Sequence, residues 1–261
     1  MDYEIVSGNY NTLGVERHGA VTTFTLENRE QKPCVLLLHP KDGGTPERIP
    51  MKTGEIAAGL VSVGLKNLPL NRYDYSYEIG GVPVLDPYAR KIVGREIWGD
   101  VTRKETGLTC GFLREEKFQW GDDALPHIPK EDMVIYKLHV RGFSMLQKAK
   151  AEERGTLRGV ERKLSYLKEL GITTLEFMPV YEFEELFAQD PFQRESFPAD
   201  KINYWGYTVG NYFAPKSAYL GPGRTGKAFK QLVQKLHRLH MECVLEFYFP
   251  GGNSPYYAVE A

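Results

Sequence analysis

The residues with the most distinctive chemistry in this chain form an aromatic stretch, INYWGYTVGNYFAPKSAYL, at residues 202–220. Its rings are Tyr204, Trp205, Tyr207, Tyr212, Phe213 and Tyr219. The stretch lies in a long segment, residues 181–226, that follows a predicted strand. Connections of this length are usually functional or disordered, and the aromatic content argues against disorder. The stretch is therefore the first candidate for a functional surface.

Metal and thiol chemistry have little support in the sequence. Cys34, Cys110 and Cys243 are widely separated and lack the CxxC spacing, so they are predicted to be buried or incidental thiols. His237 and His240 lie three residues apart in a predicted helix, but no further ligands accompany them. No acidic loop has calcium-binding spacing. The sequence therefore predicts no metal and no cofactor.

Composition narrows the classes of function. The 261 residues include 33 basic and 34 acidic side chains, so no net field favours nucleic acid or an anionic membrane as a partner. The N-terminus has no signal-peptide pattern, and no apolar run approaches the roughly 20 residues of a membrane span. A hydrophobic content of 42% suffices for one large domain or two smaller ones. We expect a cytoplasmic protein.

The first half reads as β-structure. Residues 21–28, 33–40, 59–68 and 73–81 are rich in β-branched and aromatic side chains and are separated by glycine-containing turns. This pattern predicts a small β-sandwich over residues 1–120. Tyr73, Tyr75 and Tyr77 share one face of a strand, which favours core packing over a sugar-binding surface.

The second half of the sequence has a different spacing of apolar residues. Residues 133–140 are nearly all apolar, as expected for a parallel strand buried on both faces. The pattern then predicts a helix, a strand, a helix and a strand at residues 155–171, 172–180, 226–240 and 242–249. This strand and helix alternation is typical of a parallel sheet or barrel.

Four stretches in this half resemble a known family. MVIYKLHVRGFS, GTLRGVERKLSYLKELGITTLEFMPVYEF, NYWGYTVGNYFAPKSAYL and AFKQLVQKLHRLHMECVLEF are similar, in that order, to the pullulanase, isoamylase and glycogen-debranching branch of glycoside hydrolase family 13. The upstream YDYSYEIGGVPVLDPYAR resembles the end of a carbohydrate-binding module of family 48, a starch-binding module. The resemblance implies an immunoglobulin-like β-sandwich at residues 1–120. It also implies the first part of a TIM-type (β/α)8 barrel, βαβαβ only, at residues 131–261.

The resemblance also assigns roles within the aromatic stretch. Tyr207 matches the ring that stacks on the sugar at the cleavage subsite, and Trp205 and Tyr204 are expected beside it as substrate-binding residues. Aromatic rings suit this role because they cover the apolar faces of glucose units at low entropic cost. The alternative is that Trp205, Tyr212 and Phe213 only pack the long segment onto the barrel.

Hydrolysis in this family requires two carboxylates, a nucleophile and a general acid, which follow the fourth and fifth barrel strands. The sequence ends at Ala261, soon after the third predicted strand, so we expect a truncated or partial chain with no catalytic residue. The third-strand motif Asp-Val-Val-Tyr-Asn-His is also altered. Glu246, Pro250 and Gly251 occupy the positions of its Asp, Asn and His.

Other acids cluster on the second predicted strand and the segment after it. We expect them to be solvated, and their spacing places no two of them across a sugar ring. They are Glu176, Glu182, Glu184, Glu185, Asp190, Glu195 and Asp200.

Two hypotheses follow. The first is the N-terminal portion of an α-glucan debranching-type hydrolase, acting on α-1,6-glucosidic bonds when complete and inactive as this portion alone. The alternative is a noncatalytic glucan-binding or scaffolding protein. In both, the partner is an α-glucan. An open part-barrel exposes a sheet edge, so we also expect stabilisation by self-association, by packing on the sandwich or by extra strands.

Overall fold

A computed structural model of the chain describes residues 2–54, 59–102, 108–113, 118–146, 150–186, 198, 200–221 and 225–249. The strands of the first half are β1 (Glu4–Val6), β2 (Gly14–His18), β3 (Val21–Glu27), β4 (Cys34–Pro40), β5 (Glu47–Pro50), β6 (Lys52–Thr53), β7 (Leu60–Lys66), β8 (Tyr73–Ile79), β9 (Val82–Val84), β10 (Ile92–Val93) and β11 (Thr109–Cys110). The strands predicted from sequence correspond to β3, β4, β7 and β8 and agree with them within two residues.

These strands form two antiparallel sheets. One has the order β1-β7-β3-β2, with β6 paired to β7, and the other has the order β10-β11-β8-β4-β5, with β9 paired to β8. Apolar side chains from both sheets form one core, for example Phe24 and Leu65 from the first sheet and Leu36 and Tyr77 from the second. Two sheets around one core is the layering that the sequence pattern predicts.

The tyrosine row of β8 belongs to this core. Tyr73, Tyr75 and Tyr77 are all buried, which confirms the packing interpretation. Phe24 meets the ring of Tyr75 edge-on across the two sheets, with centroids 5.4 Å apart. The hydroxyl of Tyr75 donates to the buried carboxylate of Asp86 at 2.7 Å. Cys34 and Cys110 are buried free thiols in the same half, as predicted.

The second half is built on a parallel sheet. Its strands are β12 (Ile135–Leu138), β13 (Thr174–Phe177), β14 (Tyr181–Phe183), β15 (Gly210–Pro215) and β16 (Glu242–Leu245), and its helices are α1 (Val140–Ser144), α2 (Leu157–Glu161), α3 (Leu164–Glu169), α4 (Ser217–Leu220) and α5 (Lys227–Arg238). The parallel strands have the order β12-β13-β16, and Leu138, Phe177 and Leu245 are in register. No helix in these described segments is long and apolar enough to cross a membrane.

One face of the parallel sheet forms the core of this half. Leu175 and Phe177 from β13 pack with Val160 and Leu167 from the α2 and α3 region and with Leu236 from α5. The helical spacing of those apolar residues explains why the helices dock there. The predicted helix at residues 155–171 is nevertheless two helices. At the break, the N–H of Lys163 bonds to the carbonyl of Val160, three residues back, in a tight turn.

The opposite face corrects another expectation. Residues 133–140 were expected to be buried on both faces, but the side chain of Ile135 is 52% exposed and Lys137 is also exposed. Lys137 is in register with Glu176 of β13, so this face carries charged side chains. An ionic face cannot be covered by a purely apolar layer. The nearly apolar run at residues 133–140 therefore contains one charged residue, Lys137, which keeps this face of the strand from being buried in an apolar layer.

The long segment after β13 is partly regular. β14 and β15 form an antiparallel pair, which the sequence analysis treated as loop. Asn211 in β15 donates to the carbonyl of Asp86 at 3.1 Å, and Ser217 donates to the carbonyl of Ile92 at 3.1 Å. Ala214 lies within the core of the first half. The segment therefore packs the second half against the two antiparallel sheets.

A buried ionic network holds this junction. Lys216 is fully buried, and its ammonium group donates to Glu182 at 2.7 Å, to the carbonyl of Phe183 at 2.9 Å and to Glu185. Arg95 pairs with Glu184 at 2.9 Å, and both side chains are buried. The expectation that these three loop carboxylates are solvated is therefore wrong. Burial forces each carboxylate to find a cation or an N–H donor.

We predict that replacing Lys216 with Met destabilises the chain by about 3–5 kcal/mol, because Glu182 and Glu185 would stay buried without their cation. The free energy of unfolding in urea measures the loss. Lys66→Met is the matched control, since Lys66 faces Glu4 across 3.7 Å on the exposed surface and should contribute little. Equal losses in the two variants would contradict the structural role of the network.

Candidate functional site

The aromatic stretch lies at the carboxyl ends of the parallel strands. Tyr204 contacts His139, which follows β12, and Tyr207 contacts Glu246, which follows β16. The carboxyl edge of a parallel sheet is where loops assemble binding sites in α/β folds. The described residues therefore place the aromatic stretch where α/β folds build such sites.

His139 is the buried centre of the site. Its ring stacks on Tyr204 with centroids 4.3 Å apart and planes inclined by 23°. Its Nδ1 accepts from the N–H of Gly142 at 3.0 Å, so the single proton of the neutral ring lies on Nε2. That N–H donates to the carbonyl of Tyr204 at 2.7 Å, and the hydroxyl of Tyr219 lies 3.0 Å away. Burial is the main cause that lowers the pKa of His139 to about 4.

Trp98 completes this cluster from the first half of the chain. It stacks on Tyr219, with centroids 5.5 Å apart and an interplanar angle of 13°. It also meets His139 and Tyr204 edge-on. Trp98 has no signal in the local sequence, because its partners lie far along the chain. We call Trp98, His139, Tyr204 and Tyr219 the supporting cluster.

A tight turn projects two rings from this support. Gly206 has φ of 78°, and a Cβ atom there would lie 2.5 Å from the ring of Phe183. The N–H of Gly206 donates to the side-chain oxygen of Asn203 at 3.1 Å. Trp205 and Tyr207 flank the glycine and are 55% and 38% exposed. We call these two exposed rings the aromatic wall.

An ionic cluster lies beside the wall. The hydroxyl of Tyr207 donates to the carboxylate of Glu246 at 3.1 Å, and the ammonium group of Lys137 lies 2.7 Å from the same carboxylate. Glu176 approaches Lys137 at 3.5 Å. The hydrogen bond to Glu246 raises the pKa of Lys137, and partial burial raises the pKa of Tyr207. Glu176 and Glu246 therefore share one cation instead of forming an acid and base pair.

The remaining ring candidates have other partners. Tyr212 packs on Tyr181 with centroids 4.9 Å apart, and its hydroxyl donates to the carbonyl of Tyr248 at 2.9 Å. Phe213 stacks on Tyr88 and is 61% exposed. The packing alternative thus describes Tyr212 well. The half-buried Tyr204 supports the wall from behind, and its contact with a sugar stays a prediction, as do those of Trp205 and Tyr207.

The other chemical candidates do not converge on the wall. Asp200 is exposed, whereas Asp190, Glu195, Pro250 and Gly251 lie outside the described residues. His237 bonds to Asp123 at 2.8 Å. Cys243 is a free, partly buried thiol. In the part of the chain that the structure describes, no three His, Cys, Asp or Glu side chains are grouped as a metal site.

Known proteins resemble this chain over most of its length. Residues 138–250 match the family model "Alpha amylase, catalytic domain". Isoamylase 3 from Oryza sativa subsp. japonica is 30% identical over 97% of this chain and 36% of its own length. A glycogen operon protein GlgX homolog from Haemophilus influenzae is 28% identical over 90% of this chain and 37% of its own length. The chain belongs to glycoside hydrolase family 13, in its debranching-type branch.

Solved structures agree on the fold of this family member. A pullulanase from Paenibacillus barengoltzii, solved with maltohexaose and alpha-cyclodextrin, superposes with a TM-score of 0.70 at 22% identity. The match covers 91% of this chain and 38% of that one. The chain therefore spans little more than a third of these relatives' length. At this identity the structural likeness concerns the fold.

We predict that His139 makes stability depend on pH. Its pKa is lowered from 6.5 to about 4 on folding, so the folded state resists a proton that the unfolded chain accepts. Up to about 3 kcal/mol of stability, fully present above pH 6.5, is then lost as pH falls to 4. Urea unfolding at pH 7 and pH 4 measures this. His139→Gln should flatten the dependence, whereas His18→Gln, on an exposed histidine, should leave it unchanged.

We also predict that Gly206→Ala destabilises the turn by about 1–3 kcal/mol. The new Cβ would clash with Phe183, and the positive φ is unfavourable for alanine. Gly19→Ala is the control, since Gly19 has φ of 60° with nothing within 4 Å of a built Cβ. The excess loss at Gly206 over Gly19, seen in thermal unfolding, isolates the contact with Phe183. An equal loss at both positions would contradict it.

Proposed function

We propose that this chain is the N-terminal portion of an α-glucan debranching-type glycoside hydrolase whose complete form cleaves α-1,6-glucosidic bonds. The family membership supports this, as do its relatives, which include an isoamylase and a glycogen operon protein. The solved pullulanase carries maltohexaose, an oligosaccharide of the same class. The proposed partner is therefore an α-glucan.

In this proposal residues 1–120 are an immunoglobulin-like starch-binding module, and residues 131–261 contribute the first βαβαβ of a (β/α)8 barrel. The two sheets around one core and the three parallel strands support that division. The exposed inner face of the parallel sheet, with Ile135 and Val244, is then a surface for self-association or for further strands.

The chain's own contribution is to bind and orient glucan. The observation that carries this is the aromatic wall, two exposed rings fixed by a glycine turn at the carboxyl edge of the parallel sheet. Tyr207 would stack on the apolar face of a glucose unit, and Trp205 would border the same unit. A rigid wall loses little conformational entropy on binding, which favours affinity.

We propose that this portion alone hydrolyses nothing. Retaining hydrolysis needs one carboxylate to attack the anomeric carbon and another, protonated, to supply the leaving oxygen with a proton. Among the described acids near the wall, Glu176 and Glu246 face the cation of Lys137. One lysine thus engages both carboxylates, so they are not placed as the nucleophile and the separate general acid that hydrolysis requires.

The alternative is a noncatalytic glucan-binding protein. The observation that favours it is the pairing of Glu246, which stands where the family has an aspartate, with both Lys137 and the hydroxyl of Tyr207. This arrangement fixes the wall to the sheet electrostatically. A complete protein without the two carboxylates would then use the same wall for binding alone.

We predict that Trp205→Ala and Tyr207→Ala each weaken glycogen binding by about five- to tenfold, because each removes one stacking surface. Retardation in native gels cast with glycogen measures the affinity. Tyr166→Ala is the matched control, since Tyr166 is an exposed ring on α3 and does not belong to the wall.

Activity is measured in parallel as reducing sugar released from pullulan. We expect none from the chain alone. If the chain releases reducing sugar from pullulan, and Tyr207→Ala does not change that release, the proposal that this portion is inactive is wrong. Retardation that is equal in all variants would overturn the role of the wall.

A further inference from the structure

A second concave surface lies between the two halves of the chain. A groove of about 1050 Å³ is lined by residues of the antiparallel sheets and their loops, such as Leu68 and Phe112, and by Val180, Tyr181 and Phe229 of the second half. This volume is at the upper end of the roughly 300–1000 Å³ typical of ligand sites, which often lie between domains. Nothing described so far uses it.

The charged residues of this groove are all of one sign. Its lining contains Arg17, Lys41, Arg90, Lys91, Lys227 and Lys230. No aspartate or glutamate occurs among the described lining residues. The whole chain has a formal net charge of −1, so this concentration of positive charge is local. We call the site the basic groove.

Only part of this charge is balanced by neighbouring acids. Arg90 pairs with Glu16 at 3.3 Å, and Lys41 pairs with Asp74 at 3.2 Å. Over the described ranges, Arg17, Lys91 and Lys230 have no carboxylate within ion-pair distance. Like charges facing one cleft repel each other and raise the local concentration of anions.

Two of the lysines are unfavourably placed for helix stability. Lys227 and Lys230 lie in the first turn of α5, where the helix macrodipole disfavours positive side chains. That turn contains no acidic residue. Since helix stability does not explain Lys230, its position at the rim of the groove favours a role towards a negative ligand.

The groove also offers flat apolar surfaces. Phe213 and Phe247 both line it, and both are exposed. Phe213 stacks on Tyr88, whereas Phe247 stacks both on Tyr181, at 5.5 Å between centroids, and on Phe249, at 5.9 Å. Phe213 is therefore the ring of the groove that is pre-organised to stack on a sugar. A ligand that matches the groove therefore combines a sugar face with a negative charge.

We propose that the basic groove binds a phosphate monoester carried on a glucose unit, either as a free sugar phosphate or as a phosphorylated unit of an α-glucan. The glucose part of this assignment rests on the proposed glucan function. Arg and Lys side chains form the strong charge-assisted hydrogen bonds that a phosphate requires. The ring of Phe213 would cover the sugar.

The groove and the aromatic wall can be tested separately. They lie on opposite sides of residues 246–248. Glu246 and Tyr248 contact Tyr207 of the wall, whereas Phe247 faces the groove. Substitutions at the basic rim therefore leave the wall contacts in place. This separation allows failure of one proposal to be distinguished from failure of the other.

The test is calorimetric titration of the chain with a dextrin phosphorylated on glucose and with the same dextrin after phosphatase treatment. We expect the phosphorylated form to bind about tenfold more tightly at low salt, and the gain to shrink as salt increases. In the double variant Lys91→Gln, Lys230→Gln the gain should vanish while binding of the dephosphorylated dextrin stays unchanged. The control variant Lys52→Gln, Lys168→Gln removes two exposed lysines outside the groove and should keep the gain.

Thermal unfolding of the variants shows whether a loss of binding comes from a loss of folding. Lys230→Gln should not lower the melting temperature, because it removes a positive charge from a helix N-terminus. Glucose 6-phosphate, inorganic phosphate and ATP are titrated as further probes. Tight binding of glucose 6-phosphate supports the proposal with a free metabolite as the source, and weak binding beside a tight phosphorylated dextrin supports it with the polymer as the source.

Each remaining result overturns a defined statement. Equal binding of both dextrins overturns the phosphate site and leaves the glucan function standing. If the double variant Lys91→Gln, Lys230→Gln still binds the phosphorylated dextrin more tightly than the dephosphorylated one, the phosphate binds elsewhere and the assignment to the basic groove is wrong. Inorganic phosphate or ATP binding as tightly as glucose 6-phosphate overturns the sugar assignment. Binding of glucose 6-phosphate without any dextrin binding overturns the glucan function instead.

Discussion

The structure depends on the burial of Lys216, whose ammonium group is surrounded by two carboxylates and one carbonyl oxygen. Its partner Glu182 lies within strand β14 and its partner Glu185 follows that strand, whereas Lys216 itself follows β15, so one ion cluster fixes the antiparallel pair. The same cluster reaches the first half, because the N–H of Gly99 donates to Glu185 at 3.3 Å and Arg95 pairs with neighbouring Glu184. Removing water from these charges is costly, and only a complete set of partners compensates for it. The junction between the halves is therefore specified by charge as well as by apolar packing.

The position of the aromatic wall depends on that junction. The segment carrying Arg95 also carries Trp98, which stacks on Tyr219 just beyond Lys216. Tyr219 in turn contacts His139, whose neutral ring is locked between the N–H of Gly142 and the carbonyl of Tyr204. Each contact in this series is short and geometrically demanding, so the exposed rings that follow Tyr204 have little freedom. The buried hydrogen bonds behind the wall therefore fix the backbone from which its two rings project.

Sequence patterns predicted the main strands of the antiparallel sheets, the three parallel strands and α5, but they missed the pair β14 and β15 and the buried charged residues. The apolar periods of β3, β4, β7, β8 and α5 are local signals, and the structure confirms them. The glycine of the YWGY stretch was visible, but its contact with Phe183 was not, since Phe183 lies in another strand. The three glutamates after β13 were expected in solvent because loop acids usually are. Their burial depends on Lys216 and Arg95, which are distant in sequence, and no local pattern reports such pairings.

The charge on Lys137 links the parallel sheet to the aromatic wall. Its strand presents Leu138 to the helices and Lys137 to the other face, so the ammonium group meets Glu176 and Glu246 at the edge where the wall lies. The carboxylate of Glu246 accepts from the hydroxyl of Tyr207 and pairs with Lys137, so it orients the Tyr207 ring at the end of β16. This corner of the sheet therefore orients the aromatic wall. Under the proposed function, an acid that protonates a leaving oxygen needs a position away from Lys137, because a neighbouring cation disfavours the protonated form.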